Sequence, residues 1–291
     1  MSIERLTSML LSLLGSAAPL CLAALGGLAT EAAGSLSIAL EGYMLVGAFA
    51  AAVAGHAGLG LAAALAAGAI AGTAIAFLVA AAALTLKADV FVAGLAANML
   101  ASGLVSMISQ AAFGTKGVVA AESMRADPLV LVLSLAGLAL LVYLSLSRSV
   151  FGLRLRAAGE GGEVAKAAGI DQGKYRFAAH LIAGAAAGVA GASLAAGIGA
   201  YVPGMSTGRG WIALVAVFLG SRRSGGVLLS SIAFGSLFAL STLAQSAWGG
   251  GNREAFSSSA SELMQALPYL ATAIALIAWK LREKAKGREA S

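Results

Sequence analysis

The chain has 291 residues, 59% hydrophobic and 11% charged, where a soluble domain carries about 25% charged residues. A chain this apolar cannot hide its hydrocarbon surface around one core, which excludes a soluble globular fold and leaves an all-α polytopic membrane protein. Its apolar runs are continuous rather than alternating, which excludes a barrel, and the formal charge of +6 does not signal nucleic acid, because the basic residues sit in loops and at the C-terminus, where membrane topology places them.

Spans are expected at about 8–29, 36–55, 60–84, 90–110, 128–146, 177–198, 209–221, 225–246 and 263–280, judged against the ~20 apolar residues that cross a ~30 Å hydrocarbon core. That makes about nine transmembrane helices, within a range of about eight to ten, in one domain covering 1–291. In the first span, Ala17-Ala-Pro-Leu-Cys21 faintly resembles a lipoprotein cleavage site. Leu20 is too large for the residue before the cysteine, so the stretch reads as a retained membrane helix. The second span contains Glu41 and the span at 209–221 is short, so either could be broken or re-entrant. The loop 147–176 carries Arg148, Arg154, Arg156, Lys166, Lys174 and Arg176; with the pair Arg222-Arg223 and the basic tail 281–291 it should face the cytoplasm. The C-terminus is then cytoplasmic and the N-terminus outside.

An internal repeat is also readable. The spans starting at 8, 36, 60 and 90 recur at 177, 209, 225 and 263, with 128–146 as a linking helix between the two sets. An odd number of spans per offset inverts the second set, giving an inverted 4+4 repeat of the kind found in transporters. Gly68-x-x-x-Gly72 and Gly184-x-x-x-Gly188 allow backbones to approach closely; in so glycine-rich a chain they indicate tight packing and nothing about a substrate.

Few residues carry chemistry. The single cysteine, Cys21, excludes an intramolecular disulfide and a multi-cysteine metal site. His56 and His180 read as satisfied polar groups, so no metal site and no catalytic set is expected. Gly208-Arg-Gly-Trp-Ile-Ala213 matches a dinucleotide fingerprint, but no strand or βαβ unit surrounds it. There is no P-loop, so if ATP drives transport another subunit hydrolyses it. Glu41, a carboxylate at membrane depth, has two open readings: contact with a hydroxyl-rich substrate or a cation, or satisfaction of the free amides of a broken helix. Asn98 poses the same choice, with interhelical hydrogen bonding as its ordinary use. Glu160 to Gly169 reads as a short cytoplasmic helix with acidic residues at its start and Gly169 as its cap. Its small apolar residues Val164, Ala165, Ala167 and Ala168 would seat in a groove on a partner.

Four stretches together resemble one family. Ser37-Ile-Ala-Leu-Glu-Gly-Tyr-Met-Leu-Val-Gly-Ala-Phe49 looks like the N-I-G-L-E-G-x-M-L-I-G-A-F signature of ABC-transporter permeases in the branched-chain amino acid and ribose family, nucleoside and simple-sugar subgroup. Lys87 to Asn98 resembles its A-D-x-x-x-x-G-L-A-x-N segment. Phe151-Gly-Leu-Arg-Leu-Arg-Ala-Ala-Gly-Glu160 with Ala167-Ala-Gly-Ile170 resembles its coupling segment, and Met205 to Leu214 its G-R-G-F-I-A-L-A stretch. The chain departs from the family at Gly161-Gly162, where Asn-Pro is usual; the glycines leave the following helix looser.

The resemblance implies a permease in a bacterial cytoplasmic membrane that pairs with a second permease subunit. A cytoplasmic ATPase with two nucleotide-binding domains would hydrolyse the ATP, so the chain itself needs no cofactor, and an extracytoplasmic binding lipoprotein would deliver a small-molecule substrate. The ATPase would be met by Arg154, Arg156, Gly159, Glu160, Val164, Ala167, Ala168 and Gly169, with Glu41 and Asn98 on the substrate path. Nucleosides, purine nucleosides first, are the implied cargo. Simple sugars and branched-chain amino acids are the alternatives, and an ion-coupled secondary transporter is a further class.

Overall fold

The computed structural model describes residues 3–249 and, beyond them, isolated helical positions at 270, 273, 274 and 277. The expected span at 263–280, those positions apart, and the basic tail lie outside the described residues. Among the described residues ten α-helices follow in order: α1 (Ile3–Ala32), α2 (Leu40–His56), α3 (Leu61–Ala80, continued by a π turn, Ala81–Thr85), α4 (Val90–Phe113), α5 (Pro128–Ser147), α6 (Val150–Glu160), α7 (Gly162–Ala167), α8 (Gln172–Ile198), α9 (Arg209–Leu219) and α10 (Ser224–Gly249). Among the described residues six are long and apolar enough to cross a membrane: α1, α3 with its π turn, α4, α5, α8 and α10. The chain is thus a mostly helical polytopic membrane protein, and α2 and α9 fall where the remaining two described spans were expected. At ~1.5 Å per residue they measure only about 25 Å and 16 Å.

Local chemistry sets the helix starts. Asp89, Asp127 and Asp171 each turn a carboxylate oxygen back to an amide of the first turn, of Val92 (3.0 Å), Leu129 (2.8 Å) and Lys174 (3.2 Å). The Lys174 amide holds the Asp171 carboxyl below its ordinary range. Pro128 occupies the first position of α5, where it has no amide to lose.

The centre of the bundle is a glycine seam rather than a jigsaw of large side chains. The two G-x-x-x-G pairs face each other, antiparallel, across α3 and α8. A Cβ on Gly72 would strike the carbonyl of Gly184, and one on Gly188 the carbonyl of Gly68. On the next face of α8, Gly191 rests on the Met44 carbonyl of α2, and Gly47 of α2 rests on Gly188. So α2, α3 and α8 meet backbone to backbone, a contact in which dispersion and weak C–H···O interactions replace side-chain packing. Tyr43, Met44 and Leu40 fill the spaces around the seam and are fully buried.

The two ends of the bundle differ. At the basic end, Arg222 sits in the left-handed region with Ser221 (φ 58° and 53°) and pairs with Glu31 at 2.7 Å, tying the α9–α10 turn to the end of α1. At the opposite end a two-residue ladder, β1 (Val119–Ala120) with β2 (Ala200–Tyr201), pairs Val119 with Tyr201 and Ala120 with Ala200. There His56 Nδ1 meets the Ala120 carbonyl (3.2 Å), and the Ser123 hydroxyl donates to the carbonyls of Gly55 and Leu59. His180 lies elsewhere, fully buried, with Nε2 3.0 Å from the Ser35 hydroxyl.

Candidate functional site

The shortness of α2 and α9 has a geometric consequence. Residues 33–39 run in from the basic end without helical structure and α2 starts only at Leu40; residues 202–208 come in from the opposite end through successive turns and α9 starts only at Arg209. The two helices therefore begin inside the protein, and their N-termini touch. Gly210 lies directly on the backbone of Leu40 and Glu41, so close that a Cβ there would collide with both.

A helix start leaves amides without partners, and two helix starts inside the protein need acceptors. Two side chains provide them. The Glu41 carboxylate accepts from the Gly210 amide at 2.9 Å, and it faces the Ser206 hydroxyl and the amides of Gly208 and Trp211. Asn98, from α4, does the same for α2: its Oδ1 accepts from the Gly42 amide at 2.8 Å while its Nδ2 donates to the Ile38 carbonyl at 3.2 Å. Glu41 thus satisfies the amides of a broken helix, but of α9 rather than its own. The helix dipoles of α2 and α9 both point their positive ends at this carboxylate.

Beside these two caps opens a cavity of about 520 Å³, lined by Glu41, Asn98, Ser102, Ser106 and Ser109 of α4, Tyr201, Ser206, Thr207, Trp211 and, from the loop after α4, Lys116. It is within the size range of small-molecule sites, roughly 300–1,000 Å³. Sequence reasoning found Glu41 and Asn98 and missed the others. The serines stand at i, i+4 and i+7 of one helix, a polar stripe in an otherwise apolar span, and that spacing is a readable signal.

The segment 150–170 differs from the expected single helix over 160–169. It forms two helices broken at Gly161, whose φ of 139° is one that residues with side chains rarely adopt. α6 begins at Ser149, whose hydroxyl accepts from the Gly152 amide at 3.1 Å, and buries Gly152, Leu155 and Ala158. Glu160 therefore ends α6 instead of starting the next helix; Glu163 takes the first turn of α7. Gly169, left-handed at φ 67°, closes α7 as expected, with its amide on the Lys166 carbonyl and that of Ile170 on Ala165. Ala165 turns inward and is fully buried, whereas Val164, Ala167 and Ala168 are exposed. Arg156 reaches back to the Leu146 carbonyl (2.7 Å) and Arg154 to the Tyr175 hydroxyl (3.4 Å), so both tie the segment to α5 and α8 while staying exposed.

Residues 9–276 match the family model described as branched-chain amino acid transport system / permease component. The chain belongs to this family. Three curated relatives agree. The permease is 34% identical over 260 residues to a Haloferax volcanii protein provisionally named as a glucose ABC transporter permease, with 79% of this chain and 76% of the relative covered. It is 30% identical to a guanosine ABC transporter permease of Bacillus subtilis (89% and 88% covered) and 28% identical to a nucleoside ABC transporter permease of Lactococcus lactis (89% and 87%). No solved structure matches it significantly. The permease is thus a membrane-spanning subunit of an ABC transporter, a family of transport subunits rather than enzymes. Three of the four stretches that resemble the family meet at one place: 37–49 supplies Glu41, 87–98 supplies Asn98, and 205–214 supplies the start of α9.

Proposed function

We propose that the permease carries nucleosides, purine nucleosides in particular, into the cell as one of two transmembrane halves of an ATP-driven importer. The cavity at the meeting of α2 and α9 carries this reading. Its hydroxyls, with the Glu41 carboxylate, the Asn98 amide and the Lys116 ammonium, suit a hydroxyl-rich ring compound, and Trp211 suits a flat base. The guanosine and nucleoside relatives support that cargo. A simple sugar is the second reading, supported by the glucose relative.

The basic end, with α6 and α7, is the cytoplasmic side in this reading, and the C-terminus lies there too. The exposed Val164, Ala167, Ala168 and Glu160 meet a cytoplasmic ATPase with two nucleotide-binding domains, which needs no cofactor from this chain. A second permease subunit completes the path, and a binding lipoprotein delivers the solute from outside. The packing also suits an inverted repeat: α8 lies against α3 and α2 as α1 lies against α10 and α9, and the half-length helices α2 and α9 are the counterparts that meet at the centre.

Labelled guanosine should enter cells carrying the whole transporter only when this chain is present, and unlabelled nucleosides, but not glucose, ribose or leucine, should compete. Competition by sugars alone would move the cargo to the second reading. Glu41 gives a separate test against ion coupling. A glutamine there can still accept from Gly210, so Glu41→Gln should retain most uptake, whereas Glu41→Ala should lose the cap at a cost of about 0.5–2 kcal/mol and most uptake with it. Uptake that follows an ion gradient in the unaltered protein and loses that dependence in Glu41→Gln would overturn the ATP-driven reading.

A further inference from the structure

Trp211 has the largest side chain lining the cavity, and its backbone is held from two sides. It is the third residue of α9, and its amide faces the Glu41 carboxylate one residue on from the Gly210 amide that this carboxylate accepts from. Gly210, with no side chain, lets α9 sit flush on α2, so the position of Trp211 is fixed by a backbone contact as well as by a hydrogen bond. The other cavity aromatic is committed elsewhere: Tyr201 is 4% exposed and stacks edge-to-face on Phe49 at 5.3 Å. The indole of Trp211 is 42% exposed, and among the described residues no aromatic ring covers it.

Its location is also unusual. Tryptophan in membrane proteins collects at the interfaces, but α9 starts about 16 Å from the turn that holds Arg222, near mid-core for a ~30 Å bilayer. A large, open aromatic face at that depth, beside a stripe of serines, has a use if a flat ring lies on it. The family stretch that 205–214 resembles carries phenylalanine where this chain has Trp211, so this is the cavity position at which the chain offers a larger π surface.

We propose that the indole of Trp211 is the platform on which the base of a transported nucleoside stacks, while Ser102 and Ser106 meet its ribose hydroxyls. Stacking on an aromatic side chain is tolerant of base identity but grows with ring area, so purines should be held better than pyrimidines. The inference rests on the nucleoside reading above and adds the residue that discriminates within it.

The test is equilibrium binding of labelled guanosine and uridine to the purified complex of both permeases and the ATPase in lipid nanodiscs, without the binding protein. Uptake by the unaltered transporter is measured in parallel. Trp211→Ala and Trp211→Leu should each weaken guanosine binding about tenfold, uridine less, and Trp211→Phe should restore it to within about threefold. Guanosine uptake together with binding that is absent, or indifferent to all three variants, overturns the platform and leaves the nucleoside reading intact. Equal loss in Trp211→Ala and Trp211→Phe also overturns it, since an aromatic face would then not restore binding. A transporter that takes up no guanosine overturns both.

Discussion

Gly188→Val should prevent the permease from assembling, and Gly188→Ala should lower its melting temperature in detergent by about 5 °C or more. The reason is that the obstacles are backbone. A Cβ on Gly188 would meet the Gly68 carbonyl of α3 and lie 3.1 Å from Gly72 Cα. Gly188 is also what α2 rests on at Gly47. Side chains can rotate away from an added methyl group; three helices packed main chain to main chain must separate. Overpacking costs about 1–3 kcal/mol where side chains can yield, and here the larger end applies, against a total stability of about 5–15 kcal/mol. Gly137→Ala is the matched control, because nothing lies within 4 Å of a Cβ there. Size-exclusion profiles and thermal unfolding of both variants decide the matter: a Gly188→Ala protein as stable as Gly137→Ala would mean that the seam is not the contact that holds α2, α3 and α8 together.

That seam illustrates what the sequence could and could not say. The two G-x-x-x-G pairs were visible, and their chemistry permits close approach, but spacing on one helix does not name the helix opposite. Their antiparallel match is a tertiary fact. The same limit applies to Glu41. A carboxylate in an apolar span announces a broken helix or a ligand, and the structure supplies the first, yet the amide it accepts from, that of Gly210, lies 169 residues away. The family-like stretches at 37–49, 87–98 and 205–214 were each readable as motifs; that they enclose one cavity follows only from the N-terminal contact of α2 and α9. The break at Gly161 was legible in principle. Ser149 is a good N-cap, and Phe151, Leu155 and Ala158 recur at helical spacing, so α6 could have been drawn as a helix ending at the glycines. The acidic residues Glu160 and Glu163 and the glycine cap at Gly169 point instead to 160–169 as the helix.

Gly159→Val should leave the permease in the membrane but uncouple it, cutting uptake at least about tenfold while its ATPase no longer responds to loaded binding protein. In the proposed orientation α6 is pushed by the ATPase, and the structure gives that push a route. Gly159 lies on the Ala32 carbonyl with no room for a Cβ, and a Cβ on Gly34, left-handed at φ 70°, would lie 3.1 Å from the Gly159 carbonyl oxygen. Arg176 of α8 clamps the same stretch through the Ala33 carbonyl at 3.1 Å. From there the chain runs without helical structure past Ser35, held by His180 at 3.0 Å, and Ser37, held by Tyr43 at 3.0 Å. It ends at the start of α2, where Asn98 and Glu41 join it to α4 and α9. A displacement at Gly159 thus reaches the cavity along fewer than ten residues of strapped chain, with both short helices at its far end. A valine would hold α6 off Ala32 and break the first contact of the series without touching the cavity. Gly162→Ala is the companion variant: its Cβ would find only the Gln172 Oε1 atom, at 3.7 Å, so α7 should stay in place and coupling should survive. Normal substrate-stimulated hydrolysis and uptake in Gly159→Val would show that the push enters the bundle elsewhere, with the exposed face of α7 and the Glu31–Arg222 pair as the next contacts to break.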